Sequence, residues 1–227
     1  MGETNKGRDT MSRRIKSTAM VVCLLGAVML IWAGSAMGQI TGSSHDFTNT
    51  GGGSYKGAAS QCVACHVPHN PLVTTGAVIP LQNHAETIAS GWTTYSSTTM
   101  DATMGNPSGI DLLCLGCHDG SVAIDAYGGG AGTTYMSAAF KVGAVPVQGT
   151  AGLSDLSNDH PVSFSYDESD AADTGIVAVG SVPAAIKFFG AANDVKCSSC
   201  HDPHNGGGFT SLLRADPVTI CSSCHIK

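Results

Sequence analysis

The hydrophobic pattern separates the start of the chain from everything after it. Residues 11–16 read MSRRIK, an apolar run STAMVVCLLGAVMLIWAG follows, and SAMGQ closes it. A basic start, an apolar stretch and small residues at its end predict a secretory signal peptide, with cleavage between Gly38 and Gln39. The leader then spans residues 1–38, or 11–38 if Met11 is the true start. The rival reading is a membrane anchor, but the uninterrupted apolar run is short against the ~20 residues of a bilayer span. Cys23 lies inside the run, without the small residues ahead of it that lipid attachment needs.

Beyond the leader no long pattern recurs. KVGAVPVQG, HPVSFSY and GIVAVGSV alternate or are β-branched, and predict short strands. PAAIKFF, opened by Pro183 and closed by Gly190, predicts a short helix. DLLCLGCH predicts another with Asp111 as its N-cap, and SLLRAD a third. The rest reads as irregular backbone.

Composition deepens the puzzle. Aromatic residues make up 6% of the chain and charged residues 12%, against 29 glycines. A chain this poor in large side chains buries little apolar surface, so something besides protein must fill its core. From residue 39 onward, six Lys and Arg stand against fifteen Asp and Glu. That balance argues against nucleic acid or an anionic membrane as partner.

The cysteines supply the missing core. Eight of nine lie after the leader, and all eight fall in C-x-x-C pairs followed by histidine. The four motifs are Cys62/Cys65/His66, Cys114/Cys117/His118, Cys197/Cys200/His201 and Cys221/Cys224/His225. C-x-x-C-H is the attachment signature of haem c: two thioethers tether the ring and the histidine takes one face of the iron. Four disulfides or zinc sites would also use eight cysteines, but neither requires a histidine after every pair. Four covalent haem c groups are therefore expected, with a stacked four-haem core wrapped in coil, short helices and a few short strands.

The motifs alternate in two flavours. CVACHVPHN returns as CSSCHDPHN, and LLCLGCHDG is echoed by TICSSCHIK. This predicts one tetrahaem domain over 39–227: a two-haem module about 58–125, an intervening segment 126–190, and a second module about 191–227.

Each iron needs a sixth ligand. Histidines outside the motifs are His45, His69, His84, His160 and His204, so there are five candidates for four places; His84 ranks last. Met100, Met104 and Met136 are the alternative ligands, and methionine would raise the potential. With histidine in surplus, bis-histidine ligation is expected throughout, leaving no iron open to substrate. His69 follows His66 by three residues, a reach of at most about 11 Å. It cannot pass around a macrocycle to the far face of its own haem, and Pro68 restricts it further. His69 should therefore serve another haem, and so should His204 after Pro203.

CVACHVPHNP, PLQNHA, LCLGCHDGS, SNDHPVSF and the closing CSSCH resemble the doubled C-x-x-C-H multihaem cytochromes of metal-reducing bacteria. The number and order of motifs look most similar to the OmcE-type outer-surface cytochromes, relatives of the OmcS type. The resemblance covers most of residues 43–227. It implies extracellular electron transport, with self-association into filaments in which a histidine of one subunit completes a haem of the next. On that resemblance His69 is the first choice for such a donation and His204 the second. It also implies other redox proteins or extracellular acceptors as partners. A monomeric periplasmic shuttle is the alternative, and a multihaem reductase a third.

Overall fold

A computed structural model describes residues 39–49, 51, 55–69, 81–142 and 155–226. The expected leader, and most of the strand expected in KVGAVPVQG, lie outside the described residues. Much of the described backbone is coil and turn. Helix α1 spans Ile110–His118, α2 Tyr166–Ala172 and α3 Cys197–Cys200. Strands β1 (Phe164–Ser165) and β2 (Asp194–Val195) pair antiparallel, Phe164 opposite Val195 and Ser165 opposite Asp194. Among the described residues no helix is long and apolar enough to cross a membrane.

The core is correspondingly thin. Among the described residues, apolar side chains gather in three small clusters. One joins Phe47, Ala58, Ala64, Ile124 and Met136. A second joins Ala102, Phe164, Tyr166 and Val195, and a third Trp92, Leu115 and Leu156. The second gains an aromatic contact, Tyr166 against Phe188 with ring centres 4.6 Å apart, worth about 1 kcal/mol beyond burial. The Tyr166 hydroxyl donates to the Val177 carbonyl at 2.6 Å, so its polar end is satisfied.

Helix α1 buries Leu112 and Leu115, three residues apart on one face. Gly120, at φ +77°, turns the chain beyond its last turn. Gly116 has a different role. A β-carbon there would stand 2.9 Å from the Ala85 carbonyl oxygen, so its absence lets residues 84–86 lie directly on α1. Helix α1 packs against α3, bringing the second and third cysteine motifs together.

Several expected elements differ. Asp111 does not cap α1, which begins after Gly109; its carboxylate instead accepts from the Cys197 amide at 2.6 Å. A tertiary donor has taken the acceptor that a cap would use. PAAIKFF forms a turn and not a helix, with Ile186 N–H donating to the Pro183 carbonyl. GIVAVGSV contributes one bridge at Ile176 and a 3₁₀ turn at Val179–Ser181. SLLRAD forms no helix but a kinked 3₁₀ turn, Thr210–Leu212, with Ser211 at φ +55°, and a bridge at Leu213. Helix α2 is absent from the sequence expectation because YDESDAA has almost no apolar face. Ser165 accepting from the Glu168 amide and acids in the first turn support it instead.

Candidate haem-binding sites

Each C-x-x-C-H closes as a single helical turn. The amides of His66, His201 and His225 donate to the carbonyls of Cys62, Cys197 and Cys221 at 2.7, 3.0 and 3.0 Å. The second motif completes α1. One turn puts residues i, i+3 and i+4 on the same side, which is what two thioethers and an axial nitrogen on one ring require.

Flanking chain then pins each motif histidine. His66 bridges Gln82, His201 bridges Leu213 and His225 bridges Ile176 as isolated antiparallel pairs. The carbonyl of His118 accepts from the Val142 amide at 2.8 Å. These bridging residues carry no recognisable signal in the sequence, because any backbone can supply the bond.

Three motif histidines face a histidine from elsewhere in the chain. Ring centres of His66 and His204 lie 6.2 Å apart, inclined by 23°. Those of His118 and His45 are 6.1 Å apart, and those of His225 and His160 6.4 Å. A metal held between two imidazole nitrogens at about 2 Å each, with ring centres about 1 Å behind them, separates the centres by about 6 Å. The residues present therefore fit an iron with two histidine ligands at three places.

Ring orientation agrees with that fit. The Nδ1 atoms of His45, His118, His160 and His201 lie 3.2, 2.9, 2.9 and 2.8 Å from the carbonyl oxygens of Pro203, Phe140, Pro161 and Ser211. Donation from Nδ1 leaves the Nε2 lone pair for a metal. Asp46 and Asp159 stand next to His45 and His160 in sequence, yet backbone carbonyls take the Nδ1 position. Burial, followed by the neighbouring His118, lowers His45 to about 4, so its ring is neutral at physiological pH. The neutral ring is the ligating form.

His84 and His69 differ from these. His84 is buried, its Nδ1 2.7 Å from the Ala85 carbonyl oxygen and its Nε2 2.9 Å from that of Ala123. Its ring lies against the Cys117 sulfur, wedged beside α1, and faces no motif histidine. His69 is exposed. His201 is also exposed, and among the described residues no histidine ring stands opposite it. The methionines pack in the clusters: Met136 beside Phe47, Met100 and Met104 beside Phe164.

Among the described residues no disulfide joins the eight motif cysteines. Cys65 neighbours Cys62 and Cys114, Cys197 hydrogen-bonds with Cys114, and Cys200 neighbours Cys221 and Cys224. The motifs thus follow one another in space in their order along the chain. Desolvation and then the neighbouring Cys114 and Cys62 thiols push Cys65 up to about 11. Desolvation likewise raises Cys117 and Cys224, while Cys197 is raised first by its bond with Cys114. A catalytic or redox-sensing cysteine needs the opposite shift, toward thiolate. Among the described residues no group of three or more His, Cys, Asp or Glu side chains converges to hold a bare metal ion.

A doubled CXXCH motif model matches residues 190–227, covering the third and fourth motifs. The match supports a multihaem c-type cytochrome. The described backbone, mostly coil with a few short helices and two short strands, is consistent with that class. Covalent haem c is the cofactor such motifs indicate, and electron transfer the role that fits. No curated protein matches the chain.

Proposed function

We propose that the chain is an exported tetrahaem cytochrome that conducts electrons as a surface filament. Thioethers from Cys62/Cys65, Cys114/Cys117, Cys197/Cys200 and Cys221/Cys224 hold four haem c groups, whose irons carry the electrons. His66, His118, His201 and His225 are the ligands on the tethered side. His204, His45 and His160 serve the first, second and fourth irons from across. His84 is structural.

The carrying observation is the mismatch at the third motif. His201 is exposed with its Nδ1 at the Ser211 carbonyl, and among the described residues no histidine ring stands opposite it. His69 is exposed, and among the described residues its ring likewise meets no motif histidine. His69 of one copy therefore completes the third iron of another, and the chain polymerises head to tail. Such a heterologous contact does not close on itself and builds an open assembly. Bis-histidine ligation keeps the potentials low, suited to passing electrons onward to other redox proteins or an extracellular acceptor.

Purified haem-loaded protein should carry four haems by intact mass. It should form filaments in electron micrographs at high concentration. A strictly monomeric species on size exclusion at high concentration would support the periplasmic shuttle instead. A high-spin, ligand-accessible iron persisting in the assembled material would point to a reductase.

A further inference from the structure

The second and third motifs meet over a buried charge cluster that haem attachment does not require. Asp111 lies one turn before Cys114 and is 0% exposed, and Lys196, the residue before Cys197, is 7% exposed. The Lys196 Nζ is 3.7 Å from an Asp111 carboxylate oxygen and 3.7 Å from one of Asp194. It also donates to Ser108 Oγ at 3.0 Å and Ser163 Oγ at 3.2 Å. The Asp111 carboxylate accepts from the Cys197 amide at 2.6 Å and from the Ser163 hydroxyl at 2.5 Å. It reaches the Cys197 thiol as well, which itself bonds Cys114.

A buried ion pair is rarely the most stable filling for such a space, since apolar side chains of similar size do as well or better. Its retention needs another reason, and its location supplies one. Asp111 belongs to the helix of the second motif yet satisfies the first amide of the helix of the third. It therefore fixes the spacing of two attachment helices. Two carboxylates against one ammonium leave the cluster net negative; Asp111 and Lys196 are buried where charge is weakly screened, while Asp194 is partly exposed. Negative charge beside an iron favours the oxidised state and lowers its potential.

We propose that Asp111, Lys196 and Asp194 form a charge clamp that locks the second and third haem sites together and holds down the potentials of both haems. Asp111 and Lys196 act as positioning and tuning residues. The inference rests on reading these two motifs as haem sites.

The test compares variants of the haem-loaded chain by spectroelectrochemical titration, with haem counted by intact mass. Asp111→Asn keeps an acceptor for the Cys197 amide but removes a negative charge, and the potentials of two haems should rise. Lys196→Met leaves two unopposed carboxylates, and the same two should fall. Lys196→Arg, which keeps the charge, should restore them. A purely structural role would move the Asn and Met variants alike. Shifts of the same sign, no shift, or an Arg variant that behaves like Met would overturn the proposal. If the Asp111 variant fails to mature, Asp194→Asn decides: this partly exposed residue pairs with Lys196, while the Cys197 amide goes to Asp111, and its loss should give a smaller rise. No rise there would overturn the clamp while leaving four intact haems and the functional reading untouched. An unaltered chain that takes up no covalent haem would overturn both.

Discussion

Two copies of one local sequence behave differently in this molecule. CHDPHN at 200–205 turns its second histidine onto a partner: His204 faces His66 at 6.2 Å. In CHVPHN at 65–70 the second histidine, His69, is exposed as His204 is, but among the described residues its ring meets no motif histidine. The difference lies in the residue after the motif histidine. Asp202 folds its carboxylate back, accepting from the amides of His204 and Gly206 at 3.0 Å each, with Arg214 3.7 Å away. That turn is further tied to the N-terminal segment, where the Asn205 amide group donates to the Gln39 carbonyl. Position 67 is valine, which cannot accept, and position 71 is proline, which has no amide to donate. Instead Val67 gives its amide to the Leu81 carbonyl. On the proposed reading, the braced His204 serves its own chain and His69 is the histidine offered to another.

Replacing the two histidines should break the comparison most completely. On the proposed ligation, His204→Ala removes a ligand supplied within the chain. One haem of four should become high-spin in monomer and assembly alike, by absorption and electron paramagnetic resonance. His69→Ala should leave four covalent haems and the monomer's spectrum unchanged, yet abolish filaments in electron micrographs. Normal assembly of His69→Ala with all irons low-spin would defeat the proposed donation between copies.

How far this asymmetry was legible depends on how local its causes are. The C-x-x-C-H motifs are visible in the sequence because covalent haem chemistry demands Cys, Cys and His within one helical turn. The histidines that face the motifs are brought in by chain folding, so spacing leaves five candidates for the four expected places and can only rule out the nearest. Orientation is harder still: Phe140, Ser211, Pro161 and Pro203 act through backbone carbonyls, which any residue possesses. Asp111 misled for a related reason. Its position suits a helix cap, but the Cys197 amide, far away in sequence, claims the carboxylate. The Asp202 brace is the exception. An aspartate with free amides two and four residues later was readable, and it separates His204 from His69.

Removing that brace should have a smaller effect than removing the ligand. Asp202→Ala loses two backbone hydrogen bonds to a carboxylate and the contact with Arg214. Against these, the loop keeps its other bonds, so the cost is about 1–2 kcal/mol. Exogenous imidazole should then displace His204 from the first iron about tenfold more readily, followed by absorption at equilibrium. The reverse exchange, Val67→Asp, should restrain His69 only weakly, because Pro71 offers no second amide. If Asp202→Ala leaves displacement unchanged, the brace does not distinguish the two copies.

The smallest effect concerns the N-terminal segment on which the His204 turn leans, and it is set by pH. Asp46 is buried, and its carboxylate is held down at about 2, first by the Thr48 hydroxyl at 2.6 Å and then by the Gly42 amide at 2.8 Å. An unfolded aspartate titrates near ~3.9. The native value is the lower, so the stabilisation is complete above about pH 4 and is lost as pH falls toward 2. The same segment carries His45, whose Nδ1 lies at the Pro203 carbonyl, one residue before His204. Acid should therefore release His45 and loosen the His204 turn together, at the low end of that window. Thr48→Val removes the largest cause of the depressed value and should move the transition to higher pH, as seen in the low-spin absorbance of the second haem. His69, outside this network, should not report the change at all. An unaltered transition in Thr48→Val would separate the segment from the turn it contacts and leave Asp202 alone as the source of the asymmetry.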